Sequence, residues 1–371
     1  MHVRSVRLSN FRNYPNLEVI LHPKLNLLIG PNAQGKTSIL EGLYCLSTTR
    51  SFRAVADEEM IAFGSEDASL EGVFAREEGK DVLRLDYHRG RGKTLTLNGK
   101  RQARLSAALG RLPAVIFSPD DLFLVKGGPS LRRRFLNQAL LQVDPVYLKD
   151  LQHYERVLRQ RNALLRRKGN CSEEELAAWD GPLAEHGASL SIRRAEAVRR
   201  LATRAGGALQ DLTGGVERLE VGYVPTVPVE EDLEKTREGI LAALRTSRSE
   251  ERARGITIVG PHRDDLSLSV NSHPLKKFGS QGQQRTAALA LKLAELALLT
   301  EGSRTDPLIL FDDVMSELDD RRQAFFLERL RSGGQAVLTG TQAGDFAAAV
   351  RDSRLFAVGN GRVSMQSEGA A

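Results

Sequence analysis

A chain of 371 residues can hold one large domain or two to three smaller ones, and 41% hydrophobic with 27% charged residues is the composition of a folded globular protein. Cys45 and Cys171, the only two cysteines, lack metal-ligand spacing and exclude a disulfide framework, which fits a reducing compartment. The net charge of +6 is regional: residues 126–204 hold 16 Lys and Arg against 9 Asp and Glu, as a polyanion-binding face requires, and the remainder is close to neutral.

No apolar run reaches bilayer-spanning length, and the first residues, MHVRSVRLSNFR, lack a signal-peptide core, so a cytoplasmic location with no membrane partner is expected. VRLSNF and LNLLIG read as strands, the second continuously apolar like a strand covered on both faces. Ile39, Leu40, Leu43, Tyr44 and Leu46 then recur at helical spacing, so the opening is strand, glycine-containing loop, helix. Residues 68–104 alternate in short segments, SLEGVF, VLRLDYH and TLTLNGKR, and Asn98-Gly99 is a hairpin turn; an antiparallel sheet is expected there.

After LPAVIFSPDDLFLV and the turn KGGPS come three long helical patterns: SLRRRFLNQALLQ, PVYLKDLQHYERVLRQRNALLRRK and PLAEHGASLSIRRAEAVRRLATRAGGAL, each with arginines between its apolar positions. Residues 225–254 are Pro- and Glu-rich, then helical, and ITIVGPHRDDLSLSV returns to strand character. QRTAALALKLAELALLT is apolar nearly all round, as in a buried helix. PLILFDD, QAVLTGT and RLFAV are strands separated by helical stretches, the pattern of a parallel sheet with crossovers. The expected fold is α/β. One lobe, residues 1–118 with 303–371, combines a parallel core sheet with an antiparallel β subdomain; the other, residues 119–302, is mostly helical.

Gly30-Pro31-Asn32-Ala33-Gln34-Gly35-Lys36-Thr37 fits the phosphate loop G-x-x-x-x-G-K-[ST], and it stands between a buried strand and a helix, as that motif demands. Such a loop turns its N–H groups onto phosphates at a helix N-terminus, where Ser38 follows; Lys36 reaches the β- and γ-phosphates and the Thr37 hydroxyl ligates Mg²⁺. LILFDD supplies the complementary half, an apolar strand ending in Asp312, for the Mg²⁺ shell, and Asp313.

Ser280-Gln281-Gly282-Gln283 resembles the signature motif of ABC-type ATPases, and VMSELDD, with Ser316, Glu317, Leu318 and Asp319, resembles their D-loop. The resemblance implies ATP as the nucleotide, with Ser280, Gly282 and Gln283 of one subunit closing over the γ-phosphate held by another; a helix N-cap at Ser280 is compatible with that role. Within the superfamily the chain resembles the RecF family of bacterial recombination mediators over essentially its whole length, on LSNFRNY, GPNAQGKTSILEGLY, TTRSFR, FSPDDLFLVKGGPSLRRRFLN, GPHRDDL and ILFDDVMSELD.

This resemblance implies a two-lobed P-loop head similar to those of SMC proteins. It also implies an ATP-dependent homodimer on duplex or gapped DNA, weak DNA-dependent ATPase activity, and a role in recombinational repair in which RecR and RecO are partners and RecA is loaded at gaps. Lys36, Ser280 and Asp313 would act in catalysis. Asp313 stands where the superfamily has a longer glutamate, so slow turnover is expected, and the next candidates for the base are Asp120 and Asp121 in FSPDDLF. In place of a switch histidine the chain has LTGTQ, which points to Thr339 or Thr341.

Arg12 reads either as a strand-edge charge or, by resemblance, as a nucleotide contact. His262 and Arg263 read as parts of a structural turn. Arg132, Arg133, Arg134, Arg156, Arg159, Arg161, Arg166 and Arg167 are the candidate DNA contacts, because clustered cations neutralise phosphates and no base-reading motif is visible; solvated or ion-paired helix arginines are the alternative. Two other classes are the alternatives: an ATP-binding subunit of a membrane transporter, against which stand the missing switch histidine and the long basic helical insert, and a small-molecule kinase, in which a signature motif has no use.

Overall fold

In the computed structural model, which describes residues 1–167, 172–315, 318–342, 346 and 353–366, the chain divides into two compact units, residues 1–121 with 299–371 and residues 122–298. The first unit opens with β1 (His2–Phe11), β2 (Tyr14–Ile20), β3 (Leu25–Ile29) and α1 (Lys36–Thr48), followed by β4 (Asp67–Ala75), β5 (Lys80–His88), β6 (Gly92–Leu97), β7 (Lys100–Gln102) and β8 (Ala114–Phe117). An antiparallel sheet forms in the order β2-β1-β4-β5-β6-β7. Its last turn places both Asn98 and Gly99 at positive φ, as the hairpin signal requires.

Strand β3 belongs to a different sheet, whose other members come mostly from the end of the chain. Beyond residue 302 the chain forms β12 (Leu308–Phe311), α10 (Asp320–Ser332), β13 (Ala336–Gly340), β14 (Ser353–Gly359) and β15 (Arg362–Met365). The order is β15-β14-β3-β13-β12-β8, parallel throughout except for the β14–β15 hairpin. Helix α1 is buried almost all round: Ile39, Leu40, Leu43 and Leu46 share one core with Val6, Leu8 and Leu70 of the antiparallel sheet and Leu28, Leu310 and Val337 of the parallel one. Burial on every side fixes the helix start, and with it the phosphate loop.

The second unit contains α2 (Phe123–Lys126), α3 (Pro129–Val143), α4 (Pro145–Leu165), α5 (Glu173–Thr213), β9 (Leu219–Val224), α6 (Leu233–Thr246), α7 (Arg248–Arg254), β10 (Asp265–Val270), β11 (His273–Pro274), α8 (Leu275–Phe278) and most of α9 (Gln281–Gly302), whose residues 299–302 belong to the first. A small antiparallel sheet, β11-β10-β9, accompanies the helices. Two sequence expectations change here. Helix α5 begins nine residues before Pro182 and runs through it. A capping box between Ser172 and Glu175 and the burial of Leu176 stabilise these extra turns, offsetting the backbone hydrogen bond that proline cannot make. ITIVGPHRD does not extend into β10; only Asp265–Val270 is strand.

Side chains, not a ladder, hold that irregular segment. His262 bridges the Thr257 carbonyl through Nε2 at 3.0 Å and the Tyr154 hydroxyl through Nδ1 at 2.7 Å. Arg263 donates to the same Thr257 carbonyl. Asp264 accepts from Thr226 N at 2.7 Å and from the Tyr223 hydroxyl. Asp265 takes a two-point hydrogen bond from Arg132 at 2.7 and 2.8 Å. The motif GPHRDD is thus a structural clasp tying α3, α4 and β9 together.

Burial drives the His262 imidazole down to a pKa of about 4 from its ordinary 6.5. Between those values the unfolded chain binds a proton that the folded chain refuses, so stability is lost as pH falls from about 6.5 toward 4. The loss is about 3 kcal/mol if fully expressed. Denaturant titrations at pH 7 and pH 5 should therefore differ less for His262→Gln than for the wild type; an identical pH dependence would contradict a neutral buried imidazole.

Candidate nucleotide-binding site

The phosphate loop leaves β3 at Gly30, where there is no room for a side chain: a Cβ would lie 2.0 Å from the Val358 carbonyl oxygen of β14. It enters α1 at Gly35, whose φ of +105° an L side chain rarely adopts and whose Cβ would meet Asn13 and Tyr14. Between them Ala33 also has positive φ. The turn of the β14–β15 hairpin braces the loop from outside, Asn360 N donating to Gln34 Oε1 at 2.7 Å. Lys36 is nearly buried, and its ammonium donates to the carbonyls of Gly30 at 2.7 Å and Pro31 at 3.1 Å.

Strand order explains what faces the loop. β13 lies between β3 and β12, with Thr339 level with Leu28 on one side and Leu338 level with Phe311 on the other. Thr339 therefore sits beside the carboxylates that end β12. Its hydroxyl is 3.2 Å from Asp312 Oδ1 and 3.1 Å from Asp313 Oδ1, and it accepts from Asp313 N at 2.9 Å. Thr37 donates to Asp312 Oδ1 at 2.8 Å. Asp313 has φ +52°, a left-handed turn that aspartate tolerates and that swings its side chain out of strand alternation.

Asp312 is buried, and burial raises its pKa; the Thr37 hydrogen bond opposes this and the neighbouring Asp313 charge adds to it. A hydroxyl and two carboxylates crowded at a nearly buried point are hard oxygen donors that fit Mg²⁺, with Thr37 and Asp312 as the holders. Adjoining them is a cavity of about 730 Å³, lined by Asn32, Ala33, Gln34, Gly35, Lys36, Thr37, Ser38 and Asp313, together with Arg12. That volume suits a nucleotide-sized ligand.

Arg12 stands just past the end of β1. Its guanidinium lines the cavity and also makes a two-point ion pair with the fully buried Glu41 of α1, at 2.8 and 2.7 Å. The Glu41 hydrogen bond holds its pKa above the ordinary arginine value. Sequence reasoning missed Asn13, Arg53, Glu58, Glu59, Ile61, Phe63 and Arg89, which also line the cavity. Asn13 and Arg53 lay in stretches already singled out, LSNFRNY and TTRSFR.

The signature residues lie in the second unit. Ser280 and Gly282 are exposed at the start of α9, where Ser280 forms a reciprocal cap with Gln283: Gln283 N to Ser280 Oγ at 3.2 Å and Ser280 N to Gln283 Oε1 at 2.9 Å. Gln283 also donates to Glu217 at 3.0 Å. Ser316 and Glu317, like Cys171, lie outside the described residues; Asp319 caps α10.

Two of the expected DNA contacts are corrected. Arg161 is wholly buried on α4, paired with Asp180 at 2.9 Å and Glu251 at 2.6 Å and bonded to Thr257 at 2.7 Å, because a charge on the packed face of a helix must find partners. Arg132 is buried against Asp265. Arg133 is half-buried, bonded to the Asp264 carbonyl, and Arg134 is half-buried. Arg156, Arg159, Arg166 and Arg167 are exposed along α4 and the turn that follows it. No described helix is long and apolar enough to cross a membrane.

A profile of the RecF/RecN/SMC N-terminal domain matches residues 2–364. The DNA replication and repair protein RecF of Bacillus cereus is 39% identical, with 100% of both chains covered. That of Halalkalibacterium halodurans is 42% identical over 92% of this chain and 93% of its own. A solved structure of the recombination mediator RecF with ATP, in the RecFOR pathway, superposes with a TM-score of 0.91 at 32% identity, covering 99% of this chain and 98% of that one. An Smc head bound to the C-terminal winged-helix domain of ScpA shares the fold at a TM-score of 0.54 and 16% identity, covering 100% and 98%. The glycine-restricted phosphate loop, the paired carboxylates and these full-length matches agree: the chain belongs to the RecF family.

Proposed function

We propose that this chain is an ATP-switched DNA-binding protein of recombinational repair and replication-gap processing. Two copies close around ATP, hold duplex DNA at a gap, and part after slow hydrolysis, with RecR and RecO as partners and RecA loading as the outcome. The observation that carries this reading is the division of the ATP chemistry. The cavity offers a phosphate loop, the Thr37–Asp312 oxygen pair and a further carboxylate, while Ser280 and Gly282 stand exposed at the head of a 22-residue helix, where a Cβ at Gly282 would meet only the Ser280 hydroxyl, at 3.9 Å. A second copy can bring that helix start, with its N–H groups and the Ser280 hydroxyl, onto the γ-phosphate. Mg²⁺, held by Thr37 and Asp312, would neutralise charge on the phosphates. Asp313 is the base that orients the attacking water.

The relatives named DNA replication and repair proteins match over their full length, which favours this reading over a transporter subunit. For DNA, the exposed set Arg156, Arg159, Arg166 and Arg167 is the contact surface. Sedimentation with and without ATP and duplex DNA tests the proposal. Wild type should double in mass with ATP, and Ser280→Arg should bind ATP yet stay monomeric. Glutamate at the four exposed arginines should flatten the salt dependence of DNA binding by about 0.9 in log–log slope per lost phosphate contact. A wild type that stays monomeric with ATP and DNA, or a Ser280→Arg variant that dimerises, would sink the switch.

A further inference from the structure

We propose that Phe63 is the stacking face for the nucleotide base, an assignment that rests on the phosphate-loop reading of the cavity. The cavity extends past the loop to a wall made by Glu58, Glu59, Ile61, Phe63 and Arg89. Two carboxylates make a poor lining for a triphosphate and a tolerable one for a neutral base with amino donors. Phe63 projects from this wall with its ring wholly exposed.

An exposed ring on a slack loop would call for no comment. This one is carried on a segment fixed from several directions. Arg12 N donates to the Met60 carbonyl at 2.8 Å and Ala62 N to the Asn10 carbonyl at 2.8 Å, so residues 60–62 are laced to the end of β1, where Phe11 and Ile61 form a bridge. Ser65 N closes back onto the Ala62 carbonyl at 3.0 Å. Below it, Lys93 holds Asp57 at 2.8 Å, and Glu58 Oε1 accepts from Gly90 N at 3.0 Å, tying in the turn that bears Arg89.

A ring with two side-chain torsions on a fixed backbone loses little freedom when a flat ligand settles on it. Its chemistry accepts any base through the π-face, purines more strongly by area. Phosphates held at Lys36 and a base at Phe63 would then occupy the two ends of one cavity.

The test compares ATP with inorganic tripolyphosphate, both with Mg²⁺, on the full chain in a Ser280→Arg background, so that dimerisation does not enter the affinity. Phe63→Ala should weaken ATP about 5- to 150-fold, the range for one base–aromatic stack, and leave tripolyphosphate unchanged. Phe63→Trp, with Trp179→Phe removing the native indole, should keep ATP affinity and show emission quenched by ATP but not by tripolyphosphate. Equal ATP affinity in Phe63→Ala, or equal loss for both ligands, overturns the assignment. So does a Phe63→Ala defect seen only in ATP-driven dimerisation with the native Ser280, which would make the ring an interface residue. Failure of the underlying reading looks different: Lys36→Met would then bind tripolyphosphate as well as the parent does.

Discussion

Asp313→Asn is expected to bind ATP with unchanged affinity and to lower turnover by about 10²- to 10⁴-fold, the usual contribution of a positioned general base. The substitution is conservative where the fold is most demanding, because asparagine tolerates the left-handed φ of +52° as readily as aspartate. The backbone hydrogen bond from residue 313 to the Thr339 hydroxyl does not involve the side chain and persists. What disappears is the carboxylate facing the cavity. ATP-closed dimers of this variant should outlive wild-type dimers after a chase with excess ADP. Asp312→Asn should behave otherwise, failing at the Mg²⁺-dependent closing step, since its oxygen is the one bonded to Thr37. Should Asp313→Asn dimers decay at the wild-type rate, the base is elsewhere. Asp120 becomes the first alternative, because Asp121 is occupied in capping Ser118 N at 2.7 Å.

The second large effect is on binding itself. Lys36→Met keeps the length and apolar stem of a nearly buried side chain and deletes its ammonium. A charge-assisted hydrogen bond to phosphate contributes about 1.5–3 kcal/mol, so ATP affinity should fall on the order of 100-fold. The carbonyls of Gly30 and Pro31 would lose their donor as well. Titration with a fluorescent ATP analogue reads the change, and circular dichroism confirms that the variant is folded. Undiminished affinity would remove Lys36 from the site.

The phosphate loop and its flanking strand and helix were legible because everything that defines them is local: eight consecutive residues, an apolar run before, a helical period after. LTGTQ left Thr339 and Thr341 both open, since the place of Thr339 beside the carboxylates depends on β13 being laid between β3 and β12, a matter of strand order. β2 escaped notice because Pro15 and Asn16 interrupt its alternation early, leaving Leu17 and Val19 as its only other buried positions after Tyr14. Arg161 was misassigned for a related reason. Periodicity treats arginine as an outward residue, and the acids that hold this one inside, Asp180 and Glu251, stand 19 and 90 positions away. The cavity wall of Glu58, Glu59, Ile61, Phe63 and Arg89 is likewise assembled from a short turn, the residues after it and a hairpin, with no common sequence period.

The bracing of the phosphate loop has a consequence for how the protein is made. Gln34 and the Asn360 that holds it are 326 residues apart, and β3 takes both its neighbours, β13 and β14, from the last part of the chain. At a synthesis rate of about 5–20 residues per second, the loop leaves the ribosome about 16 to 65 s before its support does. During that interval the antiparallel sheet of residues 2–102 can already form, but β3 has two unpaired edges and the loop nothing to rest on. On the proposed reading, nucleotide capture waits for the strands β13 and β14 and for the Asn360 turn, without which the phosphate loop lacks its support.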